Sequence, residues 1–341
     1  IGILIVILII SVLFPGLKPL KSGKISAEVI TITGCDECFD LNNVLELVKK
    51  NSNIGIKEIK ELNYNTKEAE SLIKKYEINS IPALIVRARN IEKEGFSEGI
   101  FSSGKNYIVF KKSIPYIDLS DKEIKGKVEF KELQDSSCKE CASLSNIEKQ
   151  LESIGVKKEN YEIVDSSSEK GKELVKVNEI EFYNNLLIGK EIEEYWWVFP
   201  SLESGLEKKE NYYIFKQPLV YPYKDALTGK IKGKVNAKYI TANNCNDCFN
   251  VSVLEEGFKG MGMYISEETY IDYSSSDGKK IISEYNITSI PTVVFSKDIS
   301  DYETLSKTLN ELGTFEKDGN FVLRELDKLN VKYQDIGWKE V

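Results

Sequence analysis

Six cysteines stand in three Cys-x-x-Cys pairs: Cys35-Asp36-Glu37-Cys38, Cys138-Lys139-Glu140-Cys141 and Cys245-Asn246-Asp247-Cys248. Thiols at this spacing can hold a thiophilic metal or exchange electrons with a disulfide, the first thiolate attacking and the second releasing the mixed-disulfide partner. The chain contains 0 histidines. A tetrahedral zinc would therefore need two whole pairs, brought from stretches more than 100 residues apart, and the third pair would be left over. The same absence removes Ser-His and Cys-His nucleophiles. A third use, three short disulfides stapling a non-catalytic cell-surface scaffold or binding protein, is the alternative reading. A ring this small gains little chain entropy and is a poor staple, which favours exchange chemistry at all six cysteines, with no cofactor beyond the disulfides themselves and no metal.

Position supports that use. Gly23-Lys24-Ile25, Gly126-Lys127-Val128 and Gly233-Lys234-Val235 each precede a strand-like run, and each glycine lies twelve residues before the first cysteine of its pair. Cys35 and Cys138 are 103 residues apart, Cys138 and Cys245 107. After each pair the apolar residues take helical spacing: Val44, Leu45 and Leu47; Leu144, Ile147 and Leu151; Val253, Leu254 and Phe258. A second strand, a second helical stretch and two half-buried strands follow, the last marked by NYIVF, NYYIF and NFVL. The unit reads strand, helix, strand, helix, strand, strand, an α/β layer whose first βαβ element implies parallel strands. At a strand-to-helix turn the first sulfur is expected at a helix N-terminus, where orphan N–H groups favour a thiolate.

Two prolines add to this. Ile81-Pro82 and Ile290-Pro291 each open a strand, 47 and 46 residues after Cys35 and Cys245, in YEINSIPALIV and YNITSIPTVVF. The second copy has Asn184 at that place. The unit resembles the thioredoxin superfamily, in which a Cys-x-x-Cys faces a cis-proline loop, and the chain resembles tandem, membrane-tethered members of it. The resemblance implies that Cys35 and Cys245 are nucleophiles and Cys38 and Cys248 resolving thiols. It further implies that Ile81, Pro82, Ile290 and Pro291 contact the substrate backbone, and that Cys138 and Cys141 form a structural or resolving pair. It departs from thioredoxin itself in lacking a tryptophan before each pair and a Gly-Pro between the cysteines. Six residues before the first cysteine, where thioredoxin keeps a buried acid, stand Val29, Glu132 and Tyr239, with Glu132 read as a surface side chain. Trp196 and Trp197 are read as packing residues.

The remaining composition is ordinary: 41% hydrophobic, 29% charged and a net charge of −8. That balance lacks the basic footprint nucleic acid demands. Ile1 to Phe14 carries no charge and suggests a membrane anchor, with a cleaved signal peptide as the competing reading. Lys18, Lys21 and Lys24 point to a cytoplasmic body under the positive-inside rule. Persistent disulfides point outside the cytoplasm, and that is the side expected here. The expected organisation is an anchor and linker over 1–21, then thioredoxin-like repeats over 22–118, 119–226 and 227–341, the last with a C-terminal tail. SIPYIDLSDKEIK and PLVYPYKDALTGKIK are read as linkers. The expected partners are protein thiols and disulfides, a redox partner, and the membrane through the N-terminal segment.

Overall fold

A computed structural model describes residues 25–50, 54–91 and 99–337. The expected anchor, its flanking lysines and the first Gly-Lys pair lie outside those residues. Among the described residues no helix is long and apolar enough to cross a membrane.

The architecture is mixed α/β, with three five-stranded sheets of one strand order. In the first sheet the order is Ile54–Asn63, Ile25–Thr33, Ala83–Ala88, Tyr107–Phe110, Phe101–Gly104. Its first two strands are parallel and the third is antiparallel to its neighbour. The third sheet repeats this with Ile265–Asp272, Val235–Thr241, Thr292–Phe295, Phe321–Leu323 and Gly313–Phe315. The second runs Lys158–Asp165, Val128–Gln134, Asn185–Gly189, Tyr212–Phe215, Leu206–Lys208. The chain divides into two compact units, and the middle repeat contributes segments to each: one unit runs to Lys131 and adds Ser145–Glu162 and Leu186–Lys216, the other holds the rest.

In the first unit, the strand Ile25–Thr33, second in its sheet, buries apolar residues on both faces because both are covered there. Val29 joins Val44, Leu45 and Val48 of the helix Asn42–Lys50 in one core. Ile30 and Ile32 join Ala69 and Leu72 of the helix Lys67–Lys75 in another. The second unit divides its residues the same way, with Tyr239, Leu254 and Phe258 in one core and Ile240, Ile281 and Tyr285 in the other. The second helix of each repeat starts at a hydroxyl cap: Thr66, Ser168 and Ser275 accept from Ala69, Gly171 and Gly278 N–H.

The Gly-Lys-Val starts have a structural cause. Gly126 and Gly233 take φ of +83° and +76°, where a side chain would be strained. Each carbonyl accepts a tyrosine hydroxyl, Tyr195 at 2.7 Å and Tyr302 at 2.8 Å. Those hydroxyls in turn accept the N–H of Lys157 and Tyr264. The two segments read as linkers fold as hairpins instead. Tyr116–Asp118 pairs with Ile124–Lys125 and with Ser80–Ile81, and Tyr223–Lys224 pairs with Ile231–Lys232.

Candidate functional site: three disulfide-bonded turns

All six cysteines are bonded within their own motifs, Cys35–Cys38, Cys138–Cys141 and Cys245–Cys248. Each pair lies in a turn after the second strand in the order of its sheet. The expected helix N-terminus is not there: the helices begin at Asn42, Ser145 and Ser252, each seven residues beyond the first cysteine. The reason is a diverted backbone bond. A helix starting at Cys35 needs Phe39 N–H on the Cys35 carbonyl, but that N–H bonds Pro115 O at 2.8 Å, and Phe249 N–H bonds Lys332 O at 2.9 Å. Asp40 and Asn250 then accept the N–H groups of Asn42 and Ser252 and start the helices. No sulfur occupies the first helical turn, so the thiols depend on nearby side-chain charge more than on the helix dipole.

Ile81-Pro82 and Ile290-Pro291 are cis. Ile81 belongs to one core with Cys35 and Cys38, and Ile290 to one with Cys245 and Cys248. Cys35 is half-buried over a buried Cys38 at 6% exposure, whereas Cys245 and Cys248 are both half-buried.

The second repeat is built differently. There the first sulfur is the hidden one: Cys138 is 6% exposed and Cys141 half-buried. Lys224 donates to Asp135 Oδ2 at 2.7 Å and Ser137 Oγ at 2.8 Å on the approach to Cys138. Asn184 has a φ of +62°, and its Nδ2 donates to Ala142 O, next to Cys141, at 2.8 Å. Glu132 is not a surface residue but is wholly buried. It accepts the Leu144 N–H at 2.8 Å, the Ser143 hydroxyl at 3.0 Å and the Gln134 amide at 2.5 Å. It thereby caps the segment entering the helix Ser145–Ser153. Its counterparts Val29 and Tyr239 are buried too, and the Tyr239 hydroxyl has no hydrogen-bond partner.

Charge reaches the turns from the following repeat. Lys127 pairs with Glu37, and Lys234 with Glu140 at 2.8 Å. The Lys127 ammonium holds the Glu37 carboxyl below the usual carboxylate range. Trp197 sets its ring edge to Phe39, beside Cys38, and Trp196 packs against the first core, both as packing residues. Among the described residues no cluster of histidine, cysteine or acidic side chains is placed to hold a metal ion.

No protein-family model matches the chain, and no curated protein matches it. Among solved structures it is similar to "Crystal structure of ERdj5 form II" at 11% identity and a TM-score of 0.17, over 84% of this chain and 40% of that one. "Crystal structure of ERdj5 form I" is similar at 10% identity and a TM-score of 0.17, over 95% of this chain and 41% of that one. "Crystal Structure of human ERp44 form II" is similar at 9% identity and a TM-score of 0.16, over 91% and 100% of the two chains. The chain thus spans less than half the length of the ERdj5 chains. At these scores the likeness is loose, and the case for a function lies in the cysteine turns themselves.

Proposed function

We propose that the protein is a thiol–disulfide oxidoreductase of thioredoxin-like repeats, acting on protein disulfides outside the cytoplasm and tethered by its N-terminal apolar segment. One observation carries this reading: the same Cys-x-x-Cys turn follows the equivalent strand of three sheets of one strand order, each pair with at least one half-exposed cysteine. In the reductive direction the Cys35 or Cys245 thiolate attacks a substrate disulfide and expels one substrate thiolate. The Cys38 or Cys248 thiolate then attacks the mixed disulfide, so two electrons pass to the substrate and the pair closes. Oxidation runs the same steps backwards. Ile81 and Ile290, in the cores that hold these cysteines, and Pro82 and Pro291, which follow them through cis peptides, are the residues proposed to receive the substrate backbone. The compartment follows from the chemistry, since disulfides persist where the surroundings are oxidising.

A structural role is favoured for one pair only. Cys138 is buried, Lys224 bonds Asp135 and Ser137 just before it, and the Cys141 side is tied down through Asn184. Replacing Cys245, Cys35 and Cys138 by serine in turn, with reduction of an insulin-like disulfide as the assay, tests both statements. Loss of activity is expected to be largest for Cys245→Ser, smaller for Cys35→Ser and least for Cys138→Ser. Equilibrium against glutathione at potentials below about −300 mV for all three pairs would instead identify inert structural disulfides and end the proposal.

A further inference from the structure

The Gly-Lys-Val motif has a use that strand initiation does not explain. In the first two repeats a glutamate stands immediately before the second cysteine, inside the ring that the disulfide closes. The lysine that opens the next repeat pairs with it: Lys127 with Glu37 and Lys234 with Glu140. The roots of these lysines are held firmly. The preceding glycine has its carbonyl bonded by Tyr195 or Tyr302, residues of the lysine's own repeat. Lys127 is half-buried, at 21% side-chain exposure, whereas Glu37 is 64% exposed. The better-fixed partner of the first pair is thus the lysine, supplied from outside the repeat whose turn it touches.

From this repeated juxtaposition we propose that Lys127 and Lys234 are positioning residues that set the thiol acidity of the preceding repeat's cysteine pair. The inference rests on the exchange reading above and deepens it: the first two sites are tuned by the repeat that follows each of them. The physical basis is short-range charge. An unpaired carboxylate inside the Cys-x-x-Cys ring disfavours a thiolate on either side of it, and an ammonium on that carboxylate offsets the effect. With no helix terminus at the sulfurs, this is the nearest cationic source the structure places on either turn's glutamate. The other charges about the first turn are Asp36 within it, Asp40 just after it, and Glu159, 3.5 Å from Lys127. About the second they are Lys139 within it, the Lys224–Asp135 pair and Asp165 before Cys138, and Glu132 on Ser143 and Leu144 after Cys141. In the third turn Asp247 holds the same place, and among the described residues it has no lysine on it. The third pair is therefore an internal reference.

An exposed ion pair contributes little to folding stability, so a structural role and a tuning role separate in the readout. The full chain is reduced, and alkylation of each cysteine by iodoacetamide is followed against pH by mass spectrometry. Lys127→Gln should slow the Cys35–Cys38 pair at neutral pH by about two- to fivefold, the span of one exposed charge pair, and move its profile to higher pH. Glu37→Gln should move it the other way, and the double variant should return near the parent. Lys234→Gln should slow the Cys138–Cys141 pair alone, and Cys245–Cys248 should stay unchanged throughout. Single variants that shift a profile in the same direction, shift all three pairs together, or shift none would overturn the inference. Disulfide reduction measured on the same samples separates the two readings. Shifted profiles without exchange would refute the proposed function and leave the lysines' role standing, while exchange without shifted profiles would do the reverse.

Discussion

The second and third repeats set one kind of turn at one place in one kind of sheet and fasten it by opposite means. In the third, the neighbours of the cysteines are apolar: Ile240, Ile281 and Ile290 lie in their core. Phe249 N–H, after Cys248, bonds Lys332 O, while before Cys245 the Asn243 N–H bonds Asp272 and the Asn244 amide donates to the Tyr273 hydroxyl. In the second, side chains do the fastening. Glu132 grips Ser143 and Leu144, Asn184 grips Ala142, and Lys224 spans Asp135 and Ser137. Exchange requires a sulfur that can be approached in line by a second disulfide, and a turn free to accept a mixed disulfide. In the second repeat side chains bond the turn on both sides of its cysteines, which suits it to holding a disulfide; in the third, side chains bond only Asn243 and Asn244 ahead of Cys245, and the backbone alone holds Phe249 behind Cys248, which suits that side to trading it.

The largest expected effect breaks the second turn at its base. Removing the buried carboxylate in Glu132→Ala leaves the Leu144 N–H and the Ser143 hydroxyl without their acceptor and opens a void. The expected cost is about 3–5 kcal/mol in denaturant unfolding. Tyr239→Phe, at the same strand position of the third repeat, removes a buried hydroxyl that has no partner and should cost about 0–1 kcal/mol. Equal losses in the two variants would show that the two turns are not fastened differently after all.

How much of this could be read beforehand depends on the range of the interactions. The three copies were legible because the Gly-to-Cys spacing and the apolar periods are local, and so were the parallel first strands. The start of the first helix was not, because it is decided by Phe39 reaching Pro115, a bond that no local propensity encodes. The hairpins in the supposed linkers were hidden for a related reason. Their strands are two or three residues long, too short for a period, and Tyr116–Asp118 takes its partner from Ser80–Ile81 far upstream. Glu132 was misread by residue type. Its register in the repeats, against the buried positions of Val29 and Tyr239, already placed it inside, and Ser143 just beyond the pair was the signal for what it would bond.

A smaller effect is expected at the second fastening. Asn184→Gly keeps the positive φ and the backbone bond to Leu133 O but loses the amide on Ala142. It should cost about 1 kcal/mol, the net worth of one hydrogen bond. It should also raise the alkylation rate of reduced Cys141 relative to Cys245. If Cys141 is no more reactive in this variant, the asparagine does not restrain the turn, and Lys224 is left as the part of the fastening to test.

The smallest effect tests a feature the two repeats share, and so serves as the control on their difference. Asp165 and Asp272 each accept two amides, from Ser136 and Ser167 in one repeat and from Asn243 and Ser274 in the other. Ser136 and Ser167 hold the Asp165 carboxyl well below its ordinary range, and Ser274 with Asn243 lowers that of Asp272. A carboxyl lowered in the folded state gives its full stabilisation above the unfolded value, about pH 4, and loses it as pH falls through the lower native value. The amide resonances of Ser167 and Ser274 in the oxidised protein should therefore stay fixed down to about pH 4 and move only below it. The first repeat supplies the neutral counterpart. Asn63 stands in the aspartate's place and accepts the Asn65 N–H at 3.0 Å, so the Asn65 amide should not follow this titration. Because an amide already does the same work there, Asp165→Asn should abolish the titration at Ser167 while leaving the fold intact and Cys138 as hidden as before. If Cys138 instead became as reactive as Cys245 in that variant, the burial of Cys138 would rest on Asp165 and not on the Glu132, Asn184 and Lys224 set.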